Sequence, residues 1–292
     1  YNSIKFEMKR GLRKEVGSAG VFGRVYLAKI DEENDIVQCV VKEPPNNMSI
    51  SINEETLTKW KQCIAKAVNV SHPNVCSPLG GGYEFVDLEE DGAPIVPQLY
   101  LTYEYFKSGS LFHMIQNDKL GSMEDAIRIS FGVISGLYHL HEEAKKDESW
   151  HFVYDIDINP AHVLMDDNIP KLSHLGDKAL LGGGIINHAS AGTDSSHPYS
   201  SIDPGHGLIW LSPEIVRGGR PTAGSQVYSY GLLLSYLLSC QLPYDMNSMS
   251  VYELTETIRS GKPGPRLIAT TNTMVPEFLR ELVTSFVKSD PN

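Results

Sequence analysis

The chain has 292 residues, 41% of them hydrophobic and 21% charged. That composition excludes a disordered chain and allows one large domain or two lobes. A formal net charge of -11 excludes a broad basic surface for nucleic acid and gives no attraction to an anionic membrane. Cys39, Cys63, Cys76 and Cys240 are scattered without paired spacing, and read as reduced thiols of an intracellular protein rather than a disulfide frame or zinc site.

The first hundred residues read mostly as strands. Gly23–Ile30 and Asp35–Glu43 are apolar or alternating runs joined by the polar turn "DEEND", a hairpin signature. Between Ser51 and Val70, apolar residues at Leu57, Trp60, Ile64, Ala67 and Val68 follow a helical period. "PLGGGYEF" and "PQLYLTYEY" resume as strands on either side of an acidic loop. From Ser110 the pattern turns helical. Ser122 with Asp125 forms a capping box before "AIRISFGVISGLYHLHEEA", and Ser250 with Glu253 forms another before a later helix. Two short strands are expected around Asp166-Asp167-Asn168, then a Gly/Ser/His-rich loop over 176–207. "SQVYSYGLLLSYLLS" and "PEFLRELVTSFV" read as helices, the latter with Pro276 in its first turn. The longest apolar stretch, Gly231–Gln241, is too short to span a bilayer, and Tyr1 opens no signal peptide, so no membrane insertion of this fragment is expected.

A constellation of motifs runs across this frame. "VGSAGVFGRVYLAK" places a glycine turn between two strands, where backbone amides can approach phosphate oxygens. Lys42 ends the next strand in "CVVK", well placed to reach a phosphate. "LTYEYFKSGSL", "NPAHVLM", "WLSPEIV" and "QVYSYGLLL" follow in that order. Together they resemble the eukaryotic protein kinase fold, nearest to tyrosine kinases and tyrosine-kinase-like kinases, over nearly the whole chain.

The resemblance implies a two-lobed α+β fold. An antiparallel β lobe with one regulatory helix would occupy residues 1–105, a hinge 106–109, and a mainly helical lobe 110–292 lacking the family's last helix. It implies a nucleotide site of Gly20, Gly23, Val25, Val40, Lys42, Leu164 and the hinge residues Glu104 and Phe106, with the bulky Tyr103 at the gatekeeper. Asp157 falls where the family's Asp accepts the substrate hydroxyl proton.

Five positions depart from the family pattern. His162 stands where an asparagine ligates magnesium, and His174 opens "HLG" where an aspartate does. Magnesium prefers oxygen donors, which imidazole does not supply. A carboxylate about 4 Å from a cation contributes roughly 4 kcal/mol at an effective dielectric near 20. Cys63 occupies the place of the helix glutamate that pairs with Lys42, with Glu54 and Glu55 about two turns earlier. Asp155 replaces a packed histidine, where an unpaired buried carboxylate would be costly. Gln226 replaces the aspartate that braces the catalytic loop. These departures lead to the expectation of a pseudokinase: no efficient phosphoryl transfer, Asp157 a vestigial base, and no protein-held metal. ATP binding would be weak and largely magnesium-independent. Such a module would act by allostery or scaffolding with protein partners in a signalling complex, another kinase among the candidates. It would be cytoplasmic or the cytosolic domain of a membrane receptor. The alternatives are a low-activity kinase using Asp157 with a non-standard metal arrangement, and a scaffold whose pocket is filled by Tyr103 or Leu175. His162 and His174 also suit zinc or copper, although neutral cleft histidines explain them more simply.

Overall fold

The computed structural model describes residues 14–15, 24–32, 35–43, 54–86, 96–177, 207–246, 248–261 and 265–288. They divide into two compact units. One draws on Tyr1–Ser71, Cys76–Phe106 and His174–Gly184, the other on His72–Val75, Lys107–Ser173 and Ile185–Asn292.

The first unit is built on an antiparallel sheet of five strands in the order β1-β2-β3-β5-β4: β1 (Lys14–Glu15), β2 (Arg24–Glu32), β3 (Asp35–Glu43), β4 (Gly80–Val86) and β5 (Val96–Glu104). β2 and β3 pair along their full length, from Arg24 opposite Glu43 to Glu32 opposite Asp35, so two residues connect them, as the polar run suggests. Alternation along the strands sorts the side chains onto two faces. Ala28, Cys39 and Val41 form a buried cluster on one face, with Tyr26 and Tyr100 packed against it. The strand register gives Val25, Val40, Lys42, Leu101 and Tyr103 to the other face.

The helix of this unit, α1 (Glu54–Ala67), buries Trp60, Ile64 and Ala67 at helical spacing, while Val68 lies beyond its end and is exposed. It packs on the Lys42 face. A Cβ at Gly81 would stand 2.8 Å from Leu101 Cδ2 and 3.2 Å from the Trp60 ring, so only glycine there lets the indole settle on the sheet.

The second unit is mainly helical. It contains α2 (Leu111–Gln116), α3 (Met123–Lys146), a 3₁₀ segment (Glu148–Asp155) and a hairpin of β6 (Val163–Asp166) with β7 (Ile169–Leu172). Then come α4 (Pro213–Val216), α5 (Ala223–Ser239), α6 (Val251–Ser260), α7 (Ile268–Thr271) and α8 (Glu277–Phe286). Both expected capping boxes form, at Ser122 with Asp125 and at Ser250 with Glu253. A third, Thr222 with Ser225, starts α5 two residues before the expected run. Pro276 is the residue before α8 rather than part of its first turn. The β6–β7 pair turns at Asp167-Asn168, with Asp167 in the left-handed region at φ 49°. α3 buries Ala126, Ile129, Val133, Leu137 and Leu140 along one stripe. α5 is buried on nearly every side and forms the centre of this unit. Among the described residues no helix is long and apolar enough to cross a membrane.

Candidate active site

Lys42 lies on β3 between the register partners Val25 and Leu101, and is buried to 9% exposure. Its ammonium donates to Asp177 Oδ2 at 2.7 Å, lies 3.3 Å from His174 Nδ1, and stands 4.9 Å from the centre of the Tyr103 ring. Tyr103 directs its hydroxyl at the other carboxylate oxygen, 2.5 Å away, and the Leu175 carbonyl lies 2.9 Å from that hydroxyl. His174 Nδ1 is 2.7 Å from Asp177 Oδ2, and because a carboxylate oxygen only accepts, the hydrogen bond between them is donated by the ring. One carboxylate therefore receives three donors from three parts of the first unit.

The backbone makes this possible. His174 is in the left-handed region at φ 69°, uncommon for a residue with a side chain, and Gly176 follows at φ 87°. The Asp177 amide closes the turn on the His174 carbonyl at 3.2 Å. A Cβ at Gly176 would lie 3.1 Å from Ile64 Cδ1, so α1 packs directly on the turn.

The electrostatics follow from the geometry. Burial alone would raise the Asp177 carboxyl, but the charges of Lys42 and His174 and the hydrogen bonds from both outweigh it. The group is held well below the usual carboxylate range. Burial, then the adjacent Asp177 charge, push the Tyr103 hydroxyl well above its ordinary range, so it stays a donor. Glu55 is exposed and paired with Lys59 at 2.6 Å, and does not serve Lys42.

In the second unit, Asp157 is half-buried on a loop held from two sides. Gln226, at 3% exposure on α5, directs Nε2 at the carbonyls of Val153, Tyr154 and Ile156 at 3.0, 3.2 and 2.9 Å. Its Oε1 accepts from His141 Nε2 at 2.7 Å. Asn159 Oδ1 accepts the amides of Ala161 and His162, both at 3.0 Å, which turns its Nδ2 toward His162 Nδ1, also at 3.0 Å. The His162 carbonyl accepts from Ser173 through both its amide and its hydroxyl. Asp157 and Asn159 line a cleft together with Leu211, Ile215, Pro221 and Gln226.

Val40 lies opposite Tyr103, both on the Lys42 face, and Glu104 is exposed opposite Cys39. Phe106 is buried, and Leu164 is half-buried opposite Lys171 on the β6–β7 hairpin. Gly20 and Gly23 lie outside the described residues, as does most of the long loop after Asp177. Reading motif positions alone misses Asp177, Asn159 and the role of His141. The only signal for Asp177 was an acidic residue directly after "HLG".

Among the described residues no group of three or more His, Cys, Asp or Glu side chains is arranged to hold a metal ion. Asp177 is surrounded by three donors, and His162 Nδ1 lies 3.0 Å from the Asn159 side-chain amide nitrogen and 3.2 Å from the Asp157 carbonyl. This donor set does not fit a protein-held magnesium ion, which needs available oxygen ligands.

A protein kinase domain profile matches residues 12–292. MAP3K epsilon protein kinase 1 of Arabidopsis thaliana is 26% identical over 295 residues, covering 99% of this chain and 18% of the relative. The serine/threonine-protein kinase PrkC of Bacillus subtilis is 24% identical over 276 residues, 94% of this chain and 37% of the relative. Leaf rust 10 disease-resistance locus receptor-like protein kinase-like 2.5 of Arabidopsis thaliana is 28% identical over 229 residues, 75% of this chain and 28% of the relative. The chain thus spans well under half of each relative's length. These matches correct the expectation of a non-enzyme, because the domain runs over residues 12–292 and its relatives are named kinases. The physical reason is that several apparent losses are made good. Lys42 has a carboxylate in Asp177, Gln226 braces the loop through its amide, and Asp155 is half-buried rather than sealed in. The chain belongs to the protein kinase family.

Proposed function

We propose that this chain is a protein kinase domain that moves the terminal phosphoryl group of ATP to a serine or threonine hydroxyl of a protein. The hydroxyl oxygen bonds to the γ-phosphorus while the bond to the bridging oxygen breaks, ADP leaves, and the hydroxyl proton passes to Asp157. Lys42 supplies positive charge for the phosphates. The observation that carries this reading is the loop at Asp157: Gln226 and Asn159 fix its backbone, and Asp157 and Asn159 both line a cleft of the second unit. The acceptor class is supported by the serine/threonine relative.

The same reading takes nucleotide binding to depend little on magnesium, since the protein's own donors are engaged. It takes the domain to be part of a larger signalling protein with protein partners, working in the cytosol. The receptor-like relative and the four free thiols support this. The test is transfer of labelled γ-phosphate to a general protein acceptor by the native chain and by Asp157→Asn, with magnesium and with manganese. Transfer by the native chain, reduced about 100-fold or more in the variant, is expected. No transfer by the native chain with either metal, or equal transfer by both chains, overturns the proposal.

A further inference from the structure

We infer that Asp177 is the positioning residue for Lys42: it supplies the negative charge that a glutamate on α1 would otherwise supply, and so fastens the lysine to the 174–177 turn and to Tyr103 rather than to α1. The inference rests on the kinase reading and deepens its site.

Three observations carry it. The Lys42–Asp177 contact is short, at 2.7 Å, and the Asp177 side chain is completely buried, so the pair is shielded from solvent. An ammonium left in that setting without a counter-charge is strongly disfavoured, because burial strips it of hydration with nothing in return. α1 offers no described carboxylate in exchange. Cys63 holds the matching place, while Glu55 points to solvent and Lys59. Finally, the carboxylate is oriented at both oxygens, with Lys42 and His174 on Oδ2 and Tyr103 on Oδ1. A carboxylate engaged at both oxygens cannot rotate without breaking charge-assisted hydrogen bonds.

The consequence is a division of labour within the first unit. α1 touches the 174–177 turn through Ile64, Ala67 and Gly176, which is packing and not charge. Displacing α1 would therefore loosen the turn without separating the ion pair itself.

The test reads the pair without turnover. The folded chain is treated with an amine-acylating reagent, and modification of Lys42 is followed by peptide mass spectrometry, with the exposed Lys59 as an internal reference. Lys42 should react slowly in the native chain and at least tenfold faster in Asp177→Asn. Adding Cys63→Glu to that variant moves the charge to α1 and should restore protection. An unchanged Lys42 rate in a folded Asp177→Asn chain overturns the inference. If that single variant does not fold, the double variant decides: folded with Lys42 protected supports the assignment, whereas unfolded, or folded with Lys42 labelled, overturns it. Failure of phosphate transfer in the native chain would overturn the proposed activity but leave the labelling result standing.

Discussion

The sheet unit and the helical unit each lack a carboxylate expected from the family pattern, and each compensates differently. Around Lys42 the charge is kept but comes from elsewhere in the chain: Asp177, 135 residues away, takes the place of a helix glutamate. Around the Asp157 loop the charge is given up: Gln226 holds three carbonyls with its amide nitrogen and receives His141 on its oxygen. The partners explain the difference. A buried ammonium needs an opposite charge, and a neutral group cannot replace it at similar cost. Backbone carbonyls need only donors, which an aspartate lacks and a glutamine has.

Breaking the charged side should cost most. Asp177→Ala leaves Lys42 buried without its counter-ion and should lower unfolding free energy by about 3–5 kcal/mol, measured by denaturant titration. A loss near zero would mean that the ammonium finds another partner. Breaking the neutral side should cost less. Gln226→Ala strands up to three carbonyls and should cost about 2 kcal/mol, with Gln226→Glu at least as harmful because it sets an anion against those oxygens. If Gln226→Ala proved the costlier of the two, the contrast between the units would be reversed.

Acid sharpens the same contrast. Asp177 titrates lower in the folded chain than in the unfolded one, so in acid the unfolded chain binds more protons. Its contribution to stability is complete above the ordinary carboxylate range and is lost as pH falls below about 4. Thermal melting from pH 7 to pH 3 should show this decline in the native chain and a shallower one in Asp177→Asn. Gln226→Ala should keep the native pH dependence, because no charge is removed.

What could be read from the sequence was mostly local. The β2–β3 hairpin and the boxes at Ser122 and Ser250 depend on residues within a few positions, so their patterns are visible in a line of letters. The family fold was also legible, because its motifs occur in order. The site's compensations were not. Gln226 reaches carbonyls about 70 residues away, and Asp177 reaches β3 from the far end of the described chain before the long loop. Counting residue types at fixed motif positions records Cys63, His174 and Gln226 as losses, but cannot show that a neighbour three residues after His174 has taken over. Nor does a sequence period reveal the left-handed turn at His174 that makes this possible.

A double-mutant cycle on Lys42→Met and Asp177→Asn, with unfolding free energy measured for all four chains, tests the relocated charge most directly. Strong coupling is expected, about 2 kcal/mol or more, with the double variant more stable than the sum of the two single losses implies. Losses that add to within about 0.5 kcal/mol would show that the two groups stabilise the protein independently, and that Lys42 does not rely on Asp177.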